Sequence, residues 1–150
     1  MLSPILEFAD LLITALLVGI IFAVWLIFDP TGLDGPTYIL QQQLGIRSLN
    51  VVMPMLGGIS VILTLAAAFS ARDDLTRLIL FGCAAACLIT AGLITRFLNQ
   101  PINSIVMTWS AAAAPVDWER LRDEWWRWHL TRLGFGLGAL SLLVAAVLRR

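Results

Sequence analysis

The chain has no lysine at all, a single histidine, two cysteines and no net charge. Its ten bases, all arginine, balance ten acids. Without a basic excess or a low-complexity tract, nucleic-acid binding and disorder are poorly supported. Two cysteines cannot staple a secreted scaffold. Cys83 and Cys87 lie four apart inside an apolar run; that is not redox-pair spacing, and they read as small packing residues. One histidine excludes bis-imidazole haem ligation within one chain, and with two distant thiols it makes no metal-ligand set. No glycine-rich phosphate loop or nucleophile motif is present. Charge is scarce: 13% of residues against 59% hydrophobic, where soluble domains carry about a quarter charged. The mean hydropathy of +0.88 accordingly belongs to a membrane protein, and 150 residues to one domain.

A bilayer core of ~30 Å needs ~20 apolar helical residues. Uncharged runs at 11–28, 48–71, 78–95 and 133–148 give four spans, at about 8–28, 48–71, 77–97 and 130–148 once their flanks are included. The last is so short that Arg132 and Arg149 are expected to snorkel to the interfaces. Met1 to Asp10 has two acids and no base, so the first span reads as a retained helix and not a cleaved signal. A fifth uncharged run, 97–116, holds Asn99, Gln100, Pro101, Asn103 and Ser104. It reads as a turn at Asn99-Gln100-Pro101 followed by a short interfacial helix over 102–113. The fold expected is an all-α bundle of four transmembrane helices, the fourth extended beyond the membrane. Both termini then share one side with Arg72, Arg77, Arg149 and Arg150. That side is read as the cytoplasm, and the membrane as a bacterial cytoplasmic one. Gly134 and Gly138, with Gly57, Gly58, Gly82, Ala86, Ala91 and Gly92, offer small surfaces for close helix packing, within the bundle or between copies in a homo-oligomer.

Residues 117–132 contain eight of the twenty charges, four of the six tryptophans and the only histidine. Asp117 is placed as an N-cap, and a helix from there to Leu148 would be ~46 Å long. At 100° per residue, Trp118, Leu121, Arg122, Trp125, Trp128, His129 and Arg132 share an arc of about 120°. Glu119, Arg120, Asp123, Glu124 and Arg127 fall opposite, where Arg120–Glu124 and Asp123–Arg127 form i,i+4 pairs on a solvated face. An interfacial aromatic belt accounts for the tryptophans, but not for His129 and two arginines among them. Gly136 continues this face and permits close approach to the backbone. A second polar stripe, Gln43, Arg47, Asn50 and Pro54, follows helical spacing down a helix two that begins near Pro36-Thr37. Topology brings it to the same end of the bundle as Asn99, Asn103 and His129, and polar groups on bundle-facing stripes are functional candidates. Indoles, amides, guanidinium groups and one imidazole suit a flat, hydrophobic, weakly acidic molecule. Arginine and asparagine would hold an oxygen that develops negative charge, and His129 would take a proton. A carbanion so formed can react directly with molecular oxygen.

The run Thr95-Arg-Phe-Leu-Asn-Gln-Pro-Ile-Asn-Ser, Trp109, Asp117-Trp118 and Trp125-Trp-Arg-Trp-His-Leu-Thr-Arg132 resembles the anthrone oxygenase-like family of small four-helix membrane proteins. Asn99, Pro101, Asn103, Trp109, Trp125, Trp128, His129 and Arg132 match its pattern. Asp29-Pro-Thr-Gly with Gln42, Gln43, Arg47, Asn50 and Pro54 is also similar to bacterial members. The resemblance implies oxidation of a polycyclic anthrone to an anthraquinone by oxygen, with no cofactor. The partners it implies are a hydrophobic small molecule, oxygen and the lipid bilayer, and no nucleic acid. On this reading His129 is the base. Arg132, Arg47, Asn99 and Asn103 hold the oxyanion or substrate, Gln43, Asn50, Arg122 and Trp109 are further substrate contacts, and Trp125 and Trp128 form the walls. The alternative is a non-catalytic membrane protein that binds a lipid, quinone or partner helix through the same face, with His129 and Arg132 in an interhelical hydrogen-bond network.

Overall fold

An apolar chain in hydrocarbon can satisfy its backbone polar groups only within helices or a closed barrel, and here the solution is helical throughout. The computed structural model describes residues 2–149. Met1 and Arg150, counted above with the N-terminal segment and the terminal-side arginines, lie outside the described residues. The elements are α1 (Leu2–Ile27), a 3₁₀ turn (Pro30–Gly32), α2 (Gly35–Leu49), α3 (Val52–Ser70), α4 (Leu75–Ile94), a π-helical turn (Thr95–Asn99), α5 (Gln100–Val106) and α6 (Trp118–Leu148). Among the described residues, four stretches are long and apolar enough to cross a membrane: Pro4–Gly32, Val52–Ser70, Leu75–Val106 and Trp118–Leu148. The protein is therefore a helical membrane protein. Helix α1 packs on α3 and α6, and α4 packs on the same two, which closes the four long helices into a ring; α2 packs on α5 at the loop end.

Two proline positions depart from the sequence reading. Pro101 does not break the third span at a turn. The helix instead widens by one turn, with the Gln100 N–H reaching the Thr95 carbonyl five residues back, and continues into α5. A proline ring would collide with the carbonyl four residues before it in a regular helix, and the wider turn removes that collision. The expected helix over 102–113 accordingly ends at Val106. Helix two is also not continuous. It divides after Asn50, and Pro54 sits in the first turn of α3, where a missing N–H costs nothing. The stripe from Gln43 to Pro54 is thereby split over two helices.

Aspartates cap two of the helices, but not the one the sequence pointed to. Asp34 accepts from the Thr37 N–H at 2.8 Å; the Thr37 side chain and then its N–H hold the Asp34 carboxyl below the usual carboxylate range, and Asp74 accepts from the Thr76 and Arg77 N–H groups. Asp117 precedes α6 as expected but makes no side-chain cap; it pairs with Arg120. Arg120 also meets Glu124 at 3.5 Å, whereas Asp123 pairs with Arg122 and Arg127 lies over Trp128. Gly136 admits Val18 of α1, which would stand 3.3 Å from an added Cβ. Gly138 backs on Cys87, Gly134 is exposed, and Cys83 faces outward.

The acids of α1 are the main surprise at the terminal end. The sequence makes Asp10 the outer border of a span, but Glu7 and Asp10 are both buried on the inner face. Glu7 forms a 2.8 Å ion pair with Arg77, which also donates to the Ala146 carbonyl. Asp10 accepts from Thr14 on its own helix and from Thr64 of α3.

At the loop end, Tyr38, Ile39, Ile102, Val106, Leu121 and Trp125 form a buried cluster that seals the bundle. The Tyr38 hydroxyl has no hydrogen-bond partner among the described residues, and burial pushes its phenol above the ordinary tyrosine value. A folded-state value above the unfolded one gives stability that is complete below about pH 10 and is lost as pH rises beyond it. Since Tyr38 is the only tyrosine, the pH-dependent rise in absorbance at 295 nm, above the constant tryptophan background, reads its ionisation alone. No phenolate signal is expected before alkaline unfolding, and a normal titration with the fold intact would show the hydroxyl to be solvated.

Candidate functional site

Two adjoining cavities lie at the loop end of the ring. The first, about 310 Å³, is enclosed by α1, α2, the start of α3, the π-helical turn and α6. The second, about 690 Å³, extends between α3 and α4. They share Ile21, Met53, Pro54, Thr95, Gln100 and Arg132. Arg132 thus stands at the seam. The expected snorkelling does not occur: the side chain turns inward, one guanidinium nitrogen donating to Thr95 Oγ1 at 3.2 Å and another to His129 Nδ1 at 2.8 Å. Thr95 already donates its own proton to the Ala91 carbonyl, so it can only accept from the arginine. Arg132 Nε is sealed and has no hydrogen-bond partner among the described residues. Among the described residues no carboxylate lies within ion-pair distance of this guanidinium. A cation held in apolar surroundings by two neutral groups lacks a counter-charge, and an anionic oxygen in the cavity would supply it.

His129 is placed behind Arg132 and lines neither cavity. It is fully buried and stacks against Trp125 and Trp126, with ring centroids 5.2 and 5.3 Å away. Guanidinium groups only donate, so Nδ1 must be an acceptor, and the proton of the neutral imidazole is on Nε2. Nε2 faces the Ile21 carbonyl without reaching hydrogen-bond geometry. In this arrangement neither ring nitrogen offers a lone pair to a molecule in the cavity.

The amides divide into two groups. Asn50 and Asn103 line the first cavity. Gln100 Nε2 donates to Asn50 Oδ1 at 2.9 Å, and Gln42 Nε2 to Asn103 Oδ1 at 3.2 Å. Each asparagine thereby keeps its NH₂ group for a ligand. Asn99 is buried outside the cavity and donates to the Trp125 carbonyl at 3.1 Å, which ties the π-helical turn to α6 and fixes the wall indole. Gln43 donates to the Val106 and Trp109 carbonyls and closes the end of α5. Trp125 lines the cavity, while Trp109 packs into the apolar seal. Trp128 and Arg47 line neither cavity, and Arg47 is exposed on α2. Arg122 lies over the Trp118 ring beside Asp123, in the loop-end cap.

Thr95, Gln41, Gln42 and Gln100 are cavity polar groups to which the sequence reading gave no role in the site. For Gln42 the pattern was available: Tyr38, Ile39, Gln42, Ile46 and Leu49 trace one inward face of α2, whereas Gln43 and Arg47 trace the neighbouring one.

The model of one protein family, described as anthrone oxygenase, matches residues 45–142, well over half of the chain and every seam residue except Ile21. No curated protein and no solved structure matches.

Proposed function

We propose, since the chain belongs to the anthrone oxygenase family, that it is a membrane oxygenase which oxidises a hydrophobic anthrone- or quinone-like aromatic with O₂, with no cofactor. The observation that carries this reading is the uncompensated Arg132 guanidinium at the seam of the two cavities. An anthrone lies flat against Trp125, its carbonyl oxygen toward Arg132 and the amides of Asn50 and Asn103. Loss of one proton from the methylene opposite the carbonyl places the negative charge on that oxygen. The guanidinium favours this enolate because the charge develops where donors already stand. The proton passes to water at the cavity mouth. O₂ then forms a C–O bond at the former methylene, the peroxide takes a proton, and loss of water leaves the second carbonyl. One anthrone and one O₂ give one quinone and one water.

Within this reading His129 and Asn99 position Arg132 and Trp125, and Gln43, Trp109 and Arg122 hold the end of the bundle together. A bacterial cytoplasmic membrane with both termini inside remains part of the proposal. It rests on Arg72 in the short connection between α3 and α4, Arg77 in the first turn of α4 and the bias of arginine toward the cytoplasm.

The test supplies the purified protein with an anthrone under air and under nitrogen. Oxygen uptake should be accelerated in proportion to quinone formed, one to one, and should stop under nitrogen. Tight binding without uptake across a panel of anthrones and quinols would replace this reading with a non-catalytic binder.

A further inference from the structure

Beyond the seam, the second cavity is a fissure walled by Val61, Ile62, Leu88 and Ile89. Ile62 and Ile89 are also exposed on the outer face of the ring, so the fissure opens sideways between α3 and α4 at the depth of the lipid tails. Gly57, Gly58 and Gly92 line it, and an added Cβ at any of the three would meet nothing within 4 Å. The space exists because three side chains are missing where two spans would otherwise close. Its inner end is polar and runs into the Arg132 seam. A compact aromatic head fills only the smaller cavity.

We propose that the substrate is a tailed aromatic: its oxygenated head occupies the loop-end cavity, and a long apolar chain, alkyl or isoprenoid, lies in the α3–α4 fissure. This deepens the functional reading and rests on it for the head site. The tail gives the head a route into the cavity from the bilayer without crossing water. Because lipid chains are as apolar as the fissure walls, the tail contributes direction of entry and orientation more than affinity.

The test uses an unreactive anthraquinone carrying a decyl ether that ends in a diazirine, with the methyl ether as the short analogue. The full chain is reconstituted in phosphatidylcholine vesicles. After irradiation, peptides containing Ile62 and Ile89 should be labelled in several-fold excess over the outward faces of α1 and α6, and the short analogue should compete. Gly58→Leu and Gly92→Leu should remove that excess while quenching of tryptophan fluorescence by the short analogue stays unchanged. Gly58→Ala, which adds a methyl to open space, provides a folded intermediate case. Even labelling of all lipid-facing helices, with quenching intact, would overturn the tail assignment and leave the fissure to membrane lipid. Absence of quenching by both compounds would overturn the head site itself.

Discussion

Arg132→Ala is expected to lower kcat/KM for an anthrone by roughly two to three orders of magnitude, the usual loss when one oxyanion donor is removed. The loss should lie mainly in kcat, because the guanidinium meets full negative charge only after the proton has left. Thermal stability should change little, because relief of the buried cation offsets the loss of the donor to His129 Nδ1. Arg132 has no ionic partner whose charge would be stranded, and removing an uncompensated cation from an apolar interior relieves a desolvation cost. Arg132→Lys should recover only part of the activity. An ammonium keeps the charge but loses the planar fork that bonds Thr95 and His129 while presenting a further N–H. Oxygen-electrode kinetics beside melting curves decide the matter: a kcat/KM for Arg132→Ala close to the parent value would remove Arg132 from the chemistry.

His129 gives the second large effect, of a different kind. His129→Ala should destabilise the protein by about 3 kcal/mol, the scale for emptying a buried ring site, since it leaves two stacked indoles and the Arg132 donor without their neighbour. His129→Asn should retain activity to within about tenfold, because an amide oxygen can accept the Arg132 N–H. The shape of its pH–rate profile between pH 5 and 8 should match that of the parent. A general base would behave otherwise: its loss removes a limb of the profile and costs 10²–10⁴ in rate. Rescue by asparagine therefore separates a residue that positions Arg132 from one that takes the substrate proton. A lost limb in His129→Asn would restore the imidazole to the role that the helical wheel suggests.

These two expectations show where sequence reading reaches its limit. The four spans were legible because apolar runs between charges carry their own length, and the 95–132 segment was legible as the site because histidine and arginines share an arc with tryptophans. Spacing placed His129 next to Arg132. It could not say which of the two would face the cavity, because three residues along a helix differ by only a fraction of a turn and neighbouring helices decide the rest. The fate of Pro101 was hidden for a related reason: proline forbids a regular helix locally, and either a turn or one wider helical turn satisfies that rule. Pro54 could have been read, since a proline is best tolerated at the start of a helix and so argues for a break before it. Asp10 could not, because its partners Thr14 and Thr64 are unremarkable in sequence and become meaningful only when α1 lies against α3.

The buried acids of α1 also constrain how the chain is made. Glu7 finds Arg77, and Asp10 finds Thr64, seventy and fifty-four residues later in synthesis. At 5–20 residues per second the first helix waits about 4–14 s for Arg77. Glu7 and Asp10 stand near the terminal end of α1, which is the most apolar of the four candidate spans among the described residues, so the helix can enter the bilayer alone while its two carboxylates stay close to the headgroups. Birth order and final seating are then coupled: the helix synthesised first completes its inner-face contacts last, and a chain truncated before α4 lacks Arg77 as an ionic partner for Glu7.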